Sequence, residues 1–507
     1  MTQPEQQIST GIRTLDDIMH GGFTADRLYL IEGYPGTGKT TLAIQFLLDG
    51  VAKGERGLYV SLSETREELE GVAASHGWSL DGIDIHELVD QEKLTQEQAQ
   101  YTMFEPSEIE LGATIEGVLK KIQAIQPRRI AFDSLSEMRL LAQGPLRYRR
   151  QILALKQFFV GRGCTTLMLD DKSGGDLATD LNDQQLQSIA HGVIRLEQSL
   201  NHYGAERRYL RVIKHRGRDF IGGTHDVLLK RGGMQVFPRK TIENAQWQSS
   251  GEDISSGNAE LDTLIGGGLM EGTSTLLLGP AGVGKSSTAT QFAVAAAERG
   301  ERAVFFEFEE SKHSFLQRSR GLGFDIDRYI DEGLIELRHF ASGETAPSEF
   351  ASQVREAIKT DEQGRKVTVV TIDSLNGFLN SMPHEQFLLI QLNDILQMLG
   401  RQGIVSFLIT AQHGMLGTGM KTPVDASYMA DNVLLFRYFE TSGEIRQAIS
   451  MVKKRTGRHE RTIREFALTH NGLQIGRPLT EFHGVLSGTP AFQGKREDLL
   501  GRDGTNA

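Results

Sequence analysis

Two short stretches hold the residue types needed to grip a nucleoside triphosphate. GYPGTGKT at 33–40 and GPAGVGKS at 279–286 both read G-x-x-x-x-G-K-[ST]. The glycines, Gly33, Gly36 and Gly38 in one copy and Gly279, Gly282 and Gly284 in the other, let backbone N–H groups turn inward around phosphate oxygens. The helix expected after each loop aims its N-terminal dipole at the same charge. Lys39 and Lys285 would reach the β- and γ-phosphates, and Thr40 and Ser286 would ligate Mg²⁺. The loop residues Thr37 and Val283 and the helix-opening residues Thr41 and Ser287 complete the expected nucleotide-binding set. The chemistry is that of Mg-ATP.

Further residues could act on the bound phosphates. Asp133 and Asp373 end the apolar runs IAF (130–132) and VTVVTI (367–372). The carboxyl end of a parallel strand is where a carboxylate that supports Mg²⁺ should sit. Hydrolysis or phosphoryl transfer also benefits from a carboxylate that takes a proton from water or a hydroxyl. Glu309 and Glu310 are candidates beside the second loop, and Glu64 beside the first, where Ser63 precedes it. A solvated acidic turn is the bland alternative for both places. Lys214 and Arg216, and again Lys453 and Arg455, form K-x-R pairs near late strands. They read as solvated strand-end charges, as a nucleic-acid patch, or as cations that reach a neighbouring subunit's γ-phosphate. Their recurrence favours the third reading, as does the lack of any evident partner within a domain.

The elements that position these residues occur twice. GIRTLD at 11–16 answers to GNAELD at 257–262, with the same spacing as the two glycine loops. FDSL at 132–135 answers to IDSL at 372–375, and Lys214-His215-Arg216 to Lys453-Lys454-Arg455, all in the same order. An internal repeat of this length indicates a duplicated domain. Within each copy, continuous apolar strands alternate with helical patterns, which predicts a mostly parallel sheet covered on both faces. The fold class is therefore α/β, with two tandem RecA-like P-loop domains. Their expected extents are 1–240 and 254–475, joined by a polar linker at 241–253 and followed by a loop and tail at 476–507.

Composition narrows the function classes. The 507 residues are enough for several domains, and 39% apolar with 24% charged residues is ordinary for a globular protein. The single cysteine, Cys164, rules out an intrachain disulfide and fits a cytoplasmic protein. The first residues, MTQPEQQIST, lack the basic and apolar regions of a secretory leader, and no apolar run is long enough to span a membrane. A net charge of −11 argues against a nucleic-acid partner.

Taken together, these residues resemble the KaiC family of circadian-clock ATPases and autokinases. The carriers are STGIRTLDDIMHGG, both glycine loops, FEFEES (306–311), both DSL strands, the K-x-R pairs, TIREFALTHNGLQI (462–475) and EFHGVLSGTP (481–490). The resemblance implies a homohexamer with ATP bound between subunits and a KaiB-like protein as a partner. It implies a slow ATPase in the first domain and a serine/threonine autokinase and autophosphatase in the second, timing a clock or stress response. Glu309 would be the proton acceptor. Ser427 and Tyr428, with Thr422 nearby, stand at the phosphoacceptor positions by register with Asp431 and Glu440. Two positions depart from the family pattern: the paired acid of the first domain is Ser63-Glu64, and the second acceptor is Tyr428. A RecA- or DnaB-like DNA-dependent ATPase and an ATP-binding scaffold without kinase activity are the competing readings.

Overall fold

A computed structural model describes residues 6–87, 106–142, 144–159, 162–172, 186–199, 206–239, 251–341, 345–382, 388–412, 426–441, 443–485 and 491–492. The chain divides into two compact units, with the main boundary between Thr241 and Ile242. Most of the expected linker (241–250), Thr422, the segment 486–490 and the tail from 493 lie outside the described residues.

The first unit is built on a nine-stranded sheet. From one edge its strands run Gly233–Phe237, His225–Lys230, Arg207–His215, Gly192–Ser199, Leu28–Gly33, Thr165–Asp171, Arg129–Asp133, Gly57–Ser61 and Ile83–Glu87. The six from Gly192–Ser199 to Ile83–Glu87 are parallel, and the other three add on in antiparallel fashion. Leu28–Gly33 is buried at every position, because helices cover both faces. Alternation along the strand divides its side chains between two cores. Tyr29 and Ile31 pack with Leu42, Phe46 and Leu47 of the helix Lys39–Ala52. Leu28 and Leu30 face the other way, toward Val118, Met138 and Ile152 of the helices Pro106–Ile125, Leu135–Ala142 and Pro145–Phe159.

The second unit repeats this plan. Its order is Ile335–His339, Arg302–Glu307, Val367–Asp373, Val405–Ala411, Ser274–Gly279, Asn432–Thr441, Glu444–Lys454, Arg464–Thr469 and Gly472–Pro478. Leu277 packs with Phe292 of the helix Lys285–Glu298, while Leu276 joins a core rich in aromatic rings, including Phe306, Phe308, Phe350 and Phe378. The last strand carries the sheet to Pro478, beyond residue 475 where the sequence pattern turns polar. The following segment is also anchored. Phe482–His483 pairs with Ala491–Phe492, and Phe482 sits edge-on to Phe439, with centroids 5.2 Å apart. Phe482 forms a small separate core with Phe439, Ala448, Leu479 and Val485. Among the described residues, no helix is long and apolar enough to cross a membrane.

Candidate nucleotide sites

In each unit the P-loop strand lies one strand away from the strand that ends in aspartate. All the parallel strands present their carboxyl ends at the same edge, so residues far apart in sequence converge there. The turn from strand to helix requires glycine. Gly38 and Gly284 immediately precede the helices, with φ of 101° and 105°, in the left-handed region.

In the first unit, the Lys39 ammonium donates to the carbonyls of Gly33 (3.0 Å) and Tyr34 (2.9 Å). Thr40 Oγ1 donates to Asp133 Oδ2 at 3.3 Å, and the Tyr59 hydroxyl donates to the same oxygen at 2.5 Å. A hydroxyl beside a carboxylate at the mouth of a P-loop is an oxygen donor set suited to Mg²⁺. Burial raises the Asp133 carboxyl above the usual range. Glu64 is half-buried and also raised, by burial first and then by the Asp133 charge. Ser63 is exposed at the corner. One contact is absent from the sequence reading: Asp171 Oδ1 pairs with the Lys39 ammonium at 2.6 Å. Its sequence sign was a charged pair, Asp170-Asp171, ending the apolar run TTLML.

In the second unit, Lys285 donates to the carbonyls of Gly279 (2.9 Å) and Pro280 (2.6 Å), and burial lowers its pKa to about 8. The Ser286 hydroxyl hydrogen-bonds Asp373, whose carboxyl burial raises to about 6. Glu309 is exposed beyond the strand end. Its side chain lies over Gly377, where an added Cβ would come within 2.9 Å of Glu309 Cγ. Glu310 is instead gripped by the Arg318 guanidinium, at 3.2 and 2.8 Å. The sequence reading also missed Glu307. It is 3% exposed, neither carboxylate oxygen has a hydrogen-bond partner, and burial pushes its pKa up to about 9. The available sign was a lone acid inside the apolar run AVFFEF, at the place where the first unit has Ser61.

The K-x-R cations require one correction. Lys214 and Lys453 do have partners within their own units. Lys214 Nζ donates to the carbonyls of Gln187 (2.7 Å) and Ala190 (2.8 Å), and Lys453 Nζ to those of Ser427 (3.0 Å) and Ala430 (2.7 Å). The carbonyls come from the segment before the preceding strand, Gly192–Ser199 or Asn432–Thr441, and backbone carbonyls leave no charge pattern that a sequence would reveal. The arginines are exposed: Arg216 reaches the Ser188 carbonyl at 3.2 Å, and Arg455 pairs with Asp431 at 2.8 Å. The matched lysine contacts equate Gln187 with Ser427, and hence Ser188 with Tyr428. Ser427 is half-buried in a turn, and Tyr428 is 63% exposed. In the first unit Gln187 Nε2 donates to both carboxylate oxygens of Glu32, the residue before the P-loop, at 3.2 and 2.9 Å. The Asp431 amide donates to the carbonyl of Ser274, the first residue of the P-loop strand, whereas the loop begins at its last residue, Gly279.

Comparison with known proteins matches both halves of the chain. The family model of the KaiC ATPase matches residues 8–241 and again 254–480. The circadian clock protein KaiC3 of Synechocystis sp. is 26% identical over 499 residues, covering 97% of this chain and 96% of that protein. The circadian clock oscillator protein KaiC of Parasynechococcus marenigrum is 28% identical over 489 residues, 96% of this chain and 93% of the relative. That of Synechococcus elongatus is 28% identical over 505 residues, 97% and 94%. With both halves matched and both P-loops in place, the chain belongs to the KaiC family of ATPases.

Proposed function

We propose that this chain is a slow ATPase in its first domain and a serine autokinase and autophosphatase in its second, working as a cytoplasmic homohexamer. Lys39 and Lys285 bind the phosphates, and the pairs Thr40–Asp133 and Ser286–Asp373 would hold Mg²⁺, which neutralises charge on the phosphoryl group in flight. Glu309 takes the proton from the acceptor hydroxyl. In the first domain Glu64 serves the attacking water.

The observation that carries the reading is the placement of Ser427 and Arg455. Arg455 pairs with Asp431, which follows Ser427 in the same turn, and Asp431 lies by the amino end of the strand Ser274–Gly279, whereas the P-loop lies at its carboxyl end. Five residue steps at ~3.3 Å put about 16 Å between the two ends. Transfer needs the attacking oxygen within ~3–3.5 Å of the phosphorus. On this reading acceptor and phosphate meet between chains, as they would in a ring with ATP at the subunit boundaries. The KaiC relatives are named for circadian clocks, which supports a timing role, and a KaiB-like partner belongs to the same reading.

Phosphosite mapping after incubation with Mg-ATP is the test. Phosphate is expected on Ser427 and little or none on Tyr428, because a phenol oxygen at the end of a rigid ring overshoots a site shaped for serine. The first unit, with Gln187 at the equivalent place, should stay unmodified. Phosphate chiefly on Tyr428, or none on Ser427 while the second site still binds nucleotide, overturns the kinase assignment.

A further inference from the structure

We propose that Glu307, Glu310 and Asp373 form a divalent-cation site in the second unit, one that takes Mg²⁺ or Mn²⁺ without nucleotide. One carboxylate oxygen from each lies within 4.8 Å of the others. Glu307 makes this more than an acidic cluster. Its side chain is 97% buried (3% exposed), points into the group, and neither oxygen has a hydrogen-bond partner. Buried acids are normally paired or coordinate a metal.

The ligand chemistry is specific. Three hard carboxylate oxygens with no nitrogen or sulfur donor suit Mg²⁺ or Mn²⁺, with water completing the shell. Arg318 holds Glu310 through both carboxylate oxygens and donates to Thr290 Oγ1 at 3.2 Å. It thereby fixes the orientation of one ligand. The site is distinct from the nucleotide's own Mg²⁺ position, which is defined by the Ser286 hydroxyl, although Asp373 borders both. The first unit cannot form it. Ser61 stands in register with Asp133 as Glu307 does with Asp373, and its hydroxyl is committed to the Glu64 carbonyl at 2.6 Å. The ion would keep three crowded carboxylates ionised beside Glu309, in the domain proposed as the kinase. The site itself does not depend on that activity.

The test is a Mn²⁺ titration of the full chain stripped of nucleotide, with free Mn²⁺ followed by electron paramagnetic resonance. Uptake of one Mn²⁺ per chain, displaced by excess Mg²⁺, is expected. E307Q and E307S should each weaken it by at least about tenfold, as loss of a ligand does at least as much as loss of an outer partner. Serine is the residue the first unit already carries, and glutamine preserves the shape, so one of the two should fold. S286A should weaken it less than either. Absence of uptake by the parent chain, or parental uptake by both Glu307 variants, overturns the site. Equal loss in S286A and E307S assigns the ion to the P-loop and overturns it too.

Discussion

The two sites differ most at single residues. A serine hydroxyl cannot accept a proton at neutral pH, so Ser63 leaves the first site without the exposed carboxylate that Glu309 supplies in the second. Ser63→Glu should therefore speed ATP turnover in the first domain, measured in a Lys285→Ala background that silences the second. A rate at or below the parent would show that Glu64 alone is the relevant base. Glu307 makes a different prediction. In the folded chain its carboxyl keeps its proton up to about pH 9. In the unfolded chain it releases that proton near pH ~4.3. Between those values the folded state binds more protons than the unfolded state, so this group's contribution to stability falls as pH rises. With EDTA present, Glu307→Gln should lose less stability than the parent between about pH 6 and 9. Urea midpoints across that range would report it, and parallel curves would mean that Glu307 is ionised in the fold.

At the scale of elements, the strand-to-helix turn is the most constrained piece. Gly284 has φ of 105°, and a Cβ there would lie 2.5 Å from Cε1 of Phe466. Left-handed backbone costs an L-residue ~1–2 kcal/mol before any clash. Gly284→Ala should cost about 2 kcal/mol or more and abolish nucleotide binding in the second unit alone. Calorimetry that still finds two bound nucleotides per chain would contradict this. This turn, the strands feeding it and Asp133 and Asp373 were legible in the sequence, because each depends on local residue type: glycine for the backbone, an apolar run for a buried strand, aspartate at its end. What was not legible depends on sheet order. Nothing local says that the strand Thr165–Asp171 lies beside Leu28–Gly33, so the Asp171–Lys39 pair could not be seen. Likewise the lone acid Glu307 sits inside the apolar run AVFFEF, and only strand pairing sets it against Asp373. The lysines of the K-x-R pairs appeared unpartnered because their partners are backbone carbonyls.

For the whole molecule, the proposed kinase reading makes the length of one strand bear on which chain would phosphorylate which. Asp431, in the turn that carries Ser427, and the P-loop of the same unit lie by opposite ends of Ser274–Gly279, a strand about 16 Å long at ~3.3 Å per residue. A serine hydroxyl reaches only one carbon beyond the backbone, and moving the turn would strip Lys453 of the carbonyls of Ser427 and Ala430. The acceptor should therefore be served by a neighbour's nucleotide. Two full-length variants separate the roles. Lys285→Ala keeps Ser427 but loses the cation that compensates phosphate charge, whereas Ser427→Ala keeps the nucleotide site but lacks the acceptor. Alone in Mg-ATP, neither should carry phosphate at position 427. Mixed and allowed to co-assemble, the Lys285→Ala chains should become phosphorylated on Ser427, which isotope labelling of one variant would assign. The yield should rise with the fraction of Ser427→Ala partners and vanish on dilution below assembly. Phosphate on Ser427 that forms at the same rate in isolated parent monomers as in the assembly would mean transfer within one chain, and would require the turn to travel the length of the strand.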